Sequence, residues 1–309
     1  MHTVIIGVGG VGGYFGGKIA HSGQQVTFIA RGEHLKKMQQ EGLLIKSIEG
    51  DFKIPQVTAT SNIEEVPKAD IILLCTKSWQ VTEAANQIKP LLKENTVIIP
   101  LQNGADNADK VKNVVPAKHV LGGMCKIYSK IEGPGVIHHF GHPPEVVFGE
   151  LDNTKTDKLL KIKEVFDKAG FNNMISSNIQ ADILSKFMFI ATVSGLGALT
   201  RATIGEMYND KGVRRLLKEN ATEIYQIAKA KSVQLPEDIV EKILFFIGKQ
   251  PYDSTASTQR DIMEGRPSEL ENFNGYIVAE GKRLGIPTPV NEFVYTCLQL
   301  MEQRARIVF

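Results

Sequence analysis

The 309-residue sequence is poor in cysteine and close to electrically neutral. Its three cysteines, Cys75, Cys125 and Cys297, are widely spaced and form no CxxC pair. This scattered, odd-numbered set predicts free thiols in a reducing compartment and argues against a disulfide scaffold. The net charge is only +2, which argues against nucleic acid or an anionic membrane as the main partner. A small anionic substrate remains compatible with this charge, because one or two local cations are enough to bind it.

Long apolar runs and metal-ligand clusters are also missing. No stretch of about 18–20 apolar residues is free of charge, so we expect no membrane span. Met1 is followed by a strand-like run without a basic segment or a cleavage site, so we expect no signal peptide and predict a cytoplasmic location. The histidines at 138, 139 and 142 lack a fourth ligand at metal spacing, and we predict no metal.

The first half of the chain alternates between strand and helix patterns. Short apolar, β-branched runs predict buried parallel strands at 3–7, 25–31, 70–77 and 96–104. Helical segments at 80–92 and 106–113 separate the later strands. Residues 118–150 are typical of further short strands with tight turns, and a charged helix near 155–169 closes this half. The alternation predicts an α/β fold, with an N-terminal Rossmann-type doubly wound sheet.

The second half contains helical periodicity and no strand-like runs. We predict helices at 179–194, 211–231, 237–248, 255–264, 269–284 and 290–306. Because 309 residues exceed what one core usually supports, we predict two domains: 1–177, which binds a dinucleotide, and 178–309, which is all-α and carries substrate and catalytic residues. The apolar stretch 243–248 suits either a dimer interface or the core, so a monomer and a homodimer both remain open.

Residues 7–12, GVGGVG, fit the pattern G-x-G-x-x-G. They follow a predicted strand and open a helix, which is the context that a dinucleotide-binding loop needs. In such a loop the first glycine makes the tight turn, the second lets the backbone approach a pyrophosphate, and the third permits close helix–strand packing. The helix N-terminus then offers N–H donors to the phosphates. We therefore predict a cofactor site at Gly7, Val8, Gly9, Gly10, Val11 and Gly12, the alternative being a structural glycine turn.

Two basic residues at strand ends indicate which dinucleotide binds. NAD-binding folds usually place an acidic residue at the end of the second strand, whereas this chain has Arg31 there. A guanidinium suits a 2′-phosphate, so we predict NADP(H), although Glu33 lies close by and a solvated surface arginine is the alternative. Lys77, after the third strand, could reach the adenosine phosphate or be an ordinary strand-end lysine. Asn103, after the fourth, could bond the nicotinamide or the substrate, or form an Asn-Gly turn.

Lys186 lies in an almost wholly apolar run that predicts a buried helix. Burying a lysine without a partner is costly. If this helix faces the cleft between the domains, Lys186 could bind a carboxylate or donate a proton to a carbonyl oxygen; the alternative is a lysine that extends to solvent. Glu269 is the best candidate partner, in the first turn of a helix that Pro267 could start. Ser257 and Asp261, at i and i+4, share a face, and Ser257 could hold a substrate carboxylate.

Over nearly its whole length the sequence resembles the ketopantoate reductase (2-dehydropantoate 2-reductase) family. The resemblance is carried by GVGGVGG at the N-terminus, TKSWQ, QNG at 102–104, SKF at 185–187, TRATIGE at 200–206, STQRDIMEGRPSELENFNG at 257–275 and GIPTPVN at 285–291. It implies reduction of a 2-oxo acid to a 2-hydroxy acid with NADPH, with 2-dehydropantoate the favoured substrate. It further implies Lys186 as general acid, Glu269 as its partner, Ser257 as carboxylate ligand, Asn103 at the nicotinamide–substrate junction, and Arg31 and Lys77 as phosphate contacts.

The sequence departs from this family where two asparagines are expected. It has Ile190 one turn after Lys186, and Ile204 just before the Gly-Glu pair of the next motif. Loss of these polar contacts weakens discrimination for a substrate hydroxyl, and Ser194 could replace part of the loss. A 2-oxo acid with a more apolar tail is therefore an alternative substrate.

Two other interpretations remain. A β-hydroxyacid-type dehydrogenase also uses a lysine from a helical domain, but QNG followed by LGGMC is a poor match for the glycine-rich substrate motif of that class. A non-catalytic NADP-binding sensor would have no need for both Lys186 and Glu269.

Overall fold

The computed structural model describes the backbone of residues 1–307 and the side chains of residues 1–304. The chain forms two compact units, the first spanning Met1–Ile179 and the second starting at Gln180. The predicted domain boundary after residue 177 lies close to this division. Each unit has its own secondary-structure class, α/β in the first and helical in the second.

The first unit contains ten strands and five helices. The strands are β1 (His2–Ile6), β2 (Gln25–Ile29), β3 (Leu43–Ser47), β4 (Phe52–Ile54), β5 (Thr58–Thr60), β6 (Ile71–Leu74), β7 (Val97–Pro100), β8 (Gly122–Gly133), β9 (Val136–Gly149) and β10 (Asn172–Ile175). The helices are α1 (Gly10–His21), α2 (Gly32–Glu41), α3 (Val81–Gln87), α4 (Asn107–Lys112) and α5 (Asp157–Ala169). Single 3₁₀ turns flank several of them.

The main sheet is parallel and has the order β5-β2-β1-β6-β7. The chain builds outward from β1 through β2 to β5, then returns to the other side of β1 for β6 and β7. The strand order therefore reverses beside β1, which is where ligands bind in open α/β sheets. The sheet class and the dinucleotide-fold topology agree with the sequence prediction.

Both faces of this sheet are buried, as the doubly wound prediction requires. Ile5 and Leu73 belong to an apolar cluster on one face with Phe15 of α1, whereas Ile6 and Leu74 belong to a second cluster with Val81 of α3. Side chains alternate between the faces of a strand. The near-continuous apolar strands are explained by this burial on both sides.

A second sheet of order β10-β9-β3-β4, with β8 paired to β9, completes the first unit. The sequence interpretation of residues 118–150 as short strands is wrong, because β8 and β9 form one long antiparallel hairpin with register shifts between Lys126 and Gly133. Polar residues and histidines along this hairpin interrupt the apolar alternation, so the pattern suggests several short strands. The short strands β3, β4, β5 and β10 were not predicted from the sequence.

The second unit is helical throughout its described part. Its helices are α6 (Ile179–Thr200), α7 (Ile204–Asn209), α8 (Lys211–Ala230), α9 (Ile239–Gly248), α10 (Ser257–Met263), α11 (Tyr276–Leu284) and α12 (Pro289–Ile307). The short helix α7 was not predicted. The predicted helix 269–284 is divided into a π-helical segment, Glu271–Gly275, followed by α11.

Among the described residues, α6 alone is long and apolar enough to cross a membrane by length and composition. However, 61% of its most apolar window is buried inside the protein, as in the core helix of a globular unit.

Candidate active site

The predicted cofactor residues follow the carboxyl ends of four neighbouring strands, along one edge of the main sheet. Gly7 follows β1, Arg31 lies two residues beyond β2, and Lys77 and Asn103 lie three residues beyond β6 and β7. Because all four strands are parallel neighbours, their carboxyl ends share one edge. The fold therefore places these residues, which are far apart in sequence, along the same edge of the sheet.

The glycines of the loop differ in what surrounds them. Gly7 has φ +92°, and a Cβ there would lie 2.8 Å from the Thr76 nitrogen. A Cβ on Gly12 would lie 2.1 Å from the Gly7 carbonyl oxygen, so the close helix–strand contact requires glycine. A Cβ on Gly9 would meet nothing within 4 Å. Gly9 therefore borders open space at the N-terminus of α1.

Gly9 is the N-cap of α1, and it supplies no side-chain cap. The first N–H groups of a helix need a partner other than the helix itself, and together they favour an anion. The remaining loop residues, Val8, Gly10 and Val11, form the turn and first residues of α1 around this point. A Cβ on Gly10 would lie 2.4 Å from the Ser129 carbonyl oxygen of β8, so the fold itself requires that glycine.

Arg31 is exposed and is the N-cap residue of α2, in extended conformation. The nearby acidic residue Glu33 is paired with Lys36, with 2.6 Å between Nζ and Oε1. Lys36 thereby lowers the pKa of Glu33. Lys77 is also exposed, and its Nζ lies 5.6 Å from the ring centre of Trp79. Both basic side chains are accessible to a phosphate at this edge.

Asn103 is half-buried beside a cluster of buried amides. Gln102 Nε2 donates to Thr76 Oγ1 at 3.3 Å, and Asn107 Nδ2 donates to the Gln102 carbonyl oxygen at 3.1 Å. Gln102 Oε1 and Asn107 Oδ1 are buried and have no hydrogen-bond partner among the described residues. Buried polar atoms are nearly always paired, so these two acceptors suit a ligand or water that carries N–H or O–H groups.

His34 accepts a hydrogen bond from the turn between β8 and β9. The Gly135 N–H donates to His34 Nδ1 at 3.0 Å, so the imidazole is neutral and carries its proton on Nε2. Nε2 is buried and has no hydrogen-bond partner among the described residues. Burial lowers the pKa of His34, opposed by Val8. Sequence reasoning missed His34; its position three residues after Arg31 was the available signal.

These features fit a bound NADP(H). Open space at Gly9, an uncapped helix N-terminus and the accessible Arg31 and Lys77 suit its phosphates, and no acidic side chain follows β2 directly to oppose a 2′-phosphate. Burial also raises the pKa of Cys75, which packs against Gly12, so this thiol stays protonated. In the described part of the chain, no group of three or more His, Cys, Asp or Glu side chains could hold a metal ion.

In the second unit, Lys186 lies on α6 and is half-buried. Its neighbours Phe187 and Met188 are 2% and 0% exposed. On a helix these residues point about 100° and 200° away from Lys186. Lys186 therefore lies at the margin of the core, where Ile190, Ser194 and Gly197 follow it on the same helix face.

Glu269 is buried at 6% exposure. It does not lie in the first turn of a helix, as predicted, but two residues before the π-helical segment, where its carbonyl oxygen accepts from the Phe273 N–H at 3.0 Å. The preceding Ser268 accepts from the Leu270 N–H at 3.1 Å and donates to Glu302. The Leu270 N–H is thus bonded to a side chain, and the first helical backbone bond is that from the Phe273 N–H to the Glu269 carbonyl. The helix therefore begins later than Pro267 suggests.

Aromatic packing connects the segments that carry Lys186 and Glu269. The ring of Phe187 contacts those of Phe273 and Tyr276 edge-on, at centroid distances of 5.9 and 5.7 Å. Phe187 directly follows Lys186, and the N–H of Phe273 bonds to Glu269. The fold of the second unit thus joins two backbone segments that are more than 80 residues apart in sequence.

The predicted substrate residues occupy different environments. Ser257 is exposed at the start of α10. Asp261, which shares its face, accepts from Arg266 Nε at 3.0 Å. Ser194 is 1% exposed, and its hydroxyl has no hydrogen-bond partner among the described residues. Ile190 is half-buried on the face of Lys186, whereas Ile204 is 5% exposed at the start of α7.

Two family models match most of the chain. The model described as ketopantoate reductase PanE/ApbA matches residues 3–153, and the corresponding C-terminal model matches residues 178–302.

Full-length relatives agree with this match. An uncharacterized oxidoreductase, YkpB, of Bacillus subtilis is 28% identical over 98% of this chain and 99% of the relative. A 2-dehydropantoate 2-reductase of Nostoc sp. is 27% identical over 98% of this chain and 95% of the relative. A crystal structure of a PanE/ApbA family ketopantoate reductase from Ralstonia eutropha has 29% identity and a TM-score of 0.91, covering 99% of this chain and 100% of that chain. This chain therefore belongs to the ketopantoate reductase family of NADP(H)-dependent oxidoreductases, which reduce 2-oxo acids.

Proposed function

We propose that this chain reduces 2-dehydropantoate to pantoate, a step of pantothenate biosynthesis, with Lys186 and Glu269 as the catalytic residues. The observation that carries the proposal is the packing of Phe187 on Phe273, which joins the lysine segment of α6 to the segment that follows Glu269. The names of relatives such as the Nostoc enzyme support the choice of substrate.

When bound, NADPH supplies the hydride that reduces the ketone carbon. Lys186 delivers a proton to the carbonyl oxygen as that oxygen gains negative charge. Glu269 holds the ammonium and binds the substrate hydroxyl, and its burial strengthens both interactions. Ser257, with Asn103 and Ser194, binds the substrate, and Arg31 and Lys77 bind the cofactor phosphate.

Ile190 favours a second candidate substrate, a 2-oxo acid with a more apolar tail. It is half-buried on the helix face of Lys186, four residues away, and it presents hydrocarbon where a hydroxyl-binding site needs a polar group. Ser194 adds one buried hydroxyl to the same face. A substrate with a single hydroxyl and a branched apolar body suits this mixed surface, as does one without the hydroxyl.

Absorbance of NADPH during turnover distinguishes these substrates. We expect kcat/KM to be highest for 2-dehydropantoate within a panel that includes the analogue of the same carbon skeleton without its terminal hydroxyl. A higher kcat/KM for the analogue would favour the apolar substrate, and Ile190→Asn should then reverse that preference. Tight NADPH binding without turnover of any 2-oxo acid would contradict the enzymatic proposal and favour a sensor.

A further inference from the structure

A chain of buried amides crosses the core of the second unit. Asn291 Oδ1 accepts from Asn274 Nδ2 at 2.8 Å and from Asn220 Nδ2 at 3.1 Å, while Asn291 Nδ2 donates to Glu223 Oε2 at 2.7 Å. The three asparagines are at most 1% exposed, and Glu223 is 8% exposed. Thr192 of α6 extends the chain by donating to Asn220 Oδ1 at 3.1 Å.

The α12 end of this chain is firmly fixed. Glu223 accepts from the backbone N–H of Val290 at 2.8 Å and of Asn291 at 3.0 Å, in the first turn of α12. A carboxylate is stabilised there by the helix N-terminus. Since a buried polar group without a partner is costly, each side chain of the network holds its neighbours in one arrangement.

The other end of the chain reaches α6 through Asn274. A Cβ on Gly195 would lie 2.6 Å from Asn274 Oδ1 and 2.7 Å from Val294, so α6 approaches this amide as closely as only glycine allows. Gly195 lies in the middle of α6, where glycine is otherwise an unfavourable helix residue. Contact with Asn274 accounts for the glycine at this position.

Asn274 lies in the π-helical segment that follows Glu269. The Gly275 N–H donates to the Leu270 carbonyl at 3.1 Å, which is the i to i+5 bond of a π turn, and the Phe273 N–H donates to that of Glu269. Single π turns occur often at functional sites because they displace the helix residues beside them. The side chain of Asn274 fixes this turn between α6 and α12.

We propose that Gly195, Asn274, Asn291 and Glu223 form an amide clamp that positions Glu269 relative to Lys186. The clamp residues are positioning residues: Asn274 sets the distance between α6, which carries Lys186, and the turn that begins at Glu269. This inference rests on the proposed function, because it assumes that those two residues perform the chemistry. A misplacement of about 1 Å in such a pair can cost about a hundredfold in rate.

A compensating pair of substitutions separates positioning from stability. Gly195→Ala places a methyl group against the Asn274 amide and should lower Tm, and Asn274→Ala leaves a cavity and should also lower it. In the double variant the methyl group at position 195 no longer meets an amide but still meets Val294, so Tm should recover in part towards that of the unmodified protein. The hydrogen bond to Asn291 stays lost, so kcat should remain about tenfold to a hundredfold low while the Kd for NADPH is unchanged. Gly212→Ala, in the exposed first turn of α8, is the matched control and should leave kcat unchanged.

Amide hydrogen exchange of residues 270–275 gives a readout that does not depend on catalysis. We expect faster exchange in the double variant than in the Gly212→Ala control. Recovery of kcat together with Tm, or slow exchange with low kcat, would overturn the clamp. Glu269→Gln and Lys186→Ala test the underlying function separately. If both variants keep the kcat of the unmodified protein, the proposed catalytic roles are overturned. If only the double variant keeps that kcat, only the clamp is overturned.

Discussion

Gly9 in the loop before α1 and the glycines within α6 look alike in sequence but have different surroundings. Gly9 borders space that no protein atom fills within 4 Å, at an uncapped helix N-terminus. Gly195 and Gly197 instead border side-chain amides, since a Cβ on either would lie 2.6 Å from Asn274 or Gln259. Gly9 thus borders space open to a ligand, whereas Gly195 and Gly197 leave room for other parts of the protein.

This difference explains why a function is easier to predict from the sequence of the first unit than from that of the second. A cofactor loop uses backbone groups close together in sequence, so a six-residue motif reveals it. The proposed acid–base residues of the second unit, Lys186 and Glu269, lie on segments far apart in sequence, and packing of Phe187 on Phe273 joins those segments. Four variants test whether binding and chemistry are divided between the units in this way.

The largest effect is expected from Lys186→Ala. If Lys186 is the general acid, kcat should fall about 10²–10⁴-fold, while the Kd for NADPH changes little because the glycine loop belongs to the first unit. Steady-state kinetics with 2-dehydropantoate and a fluorescence titration with NADPH measure the two quantities. Unchanged turnover would contradict the general-acid role, and a parallel loss of NADPH affinity would contradict the division between units.

Gly9→Ala tests whether a ligand uses the space beside Gly9. The added methyl group has space in the protein, so Tm should be nearly unchanged, but it occupies the approach to the helix N-terminus. Loss of two backbone hydrogen bonds to a phosphate, at about 1.5–3 kcal/mol each, should raise the Kd for NADPH by at least about a hundredfold. Gly133→Ala, where a Cβ also meets nothing within 4 Å, is the control and should leave the Kd unchanged. An unchanged Kd in Gly9→Ala would place the phosphates elsewhere.

The sequence predicted the parallel sheet, the helical second unit and the glycine-rich turn between β1 and α1, because each depends on periodicity or local spacing. It could not predict the long β8–β9 hairpin, since polar residues break its alternation. It also could not predict where the helix after Glu269 starts, since Ser268, which accepts from the Leu270 N–H, is bonded to Glu302, far away in sequence. The packing role of Gly195 could not be predicted either, because Asn274, which contacts it, is far away in sequence. The roles of the candidate site residues stay predictions.

Arg31→Asp tests cofactor choice within the first unit. An aspartate at this position repels a 2′-phosphate and can bond to ribose hydroxyls. One charge-assisted hydrogen bond of about 1.5–3 kcal/mol corresponds to at least a tenfold change in the ratio of kcat/KM for NADPH to that for NADH. Lys36→Asp, on the exposed side of α2, is the charge-matched control. An unchanged ratio in Arg31→Asp would remove the phosphate role of Arg31.

The smallest effect concerns His34, whose neutral ring accepts a hydrogen bond from the β8–β9 turn. Burial lowers its pKa in the folded protein below the ordinary 6.5, so between these two values the unfolded chain binds the proton more readily. His34 therefore contributes stability that is present above about pH 6.5 and is lost as the pH falls through the folded pKa. His34→Asn keeps an acceptor for the Gly135 N–H and does not titrate. The Tm of the unmodified protein should accordingly fall more steeply below pH 6.5 than that of His34→Asn, by a few degrees in a calorimetric pH series. Parallel curves would show that the ring does not titrate in this range and that the loop is held by other contacts.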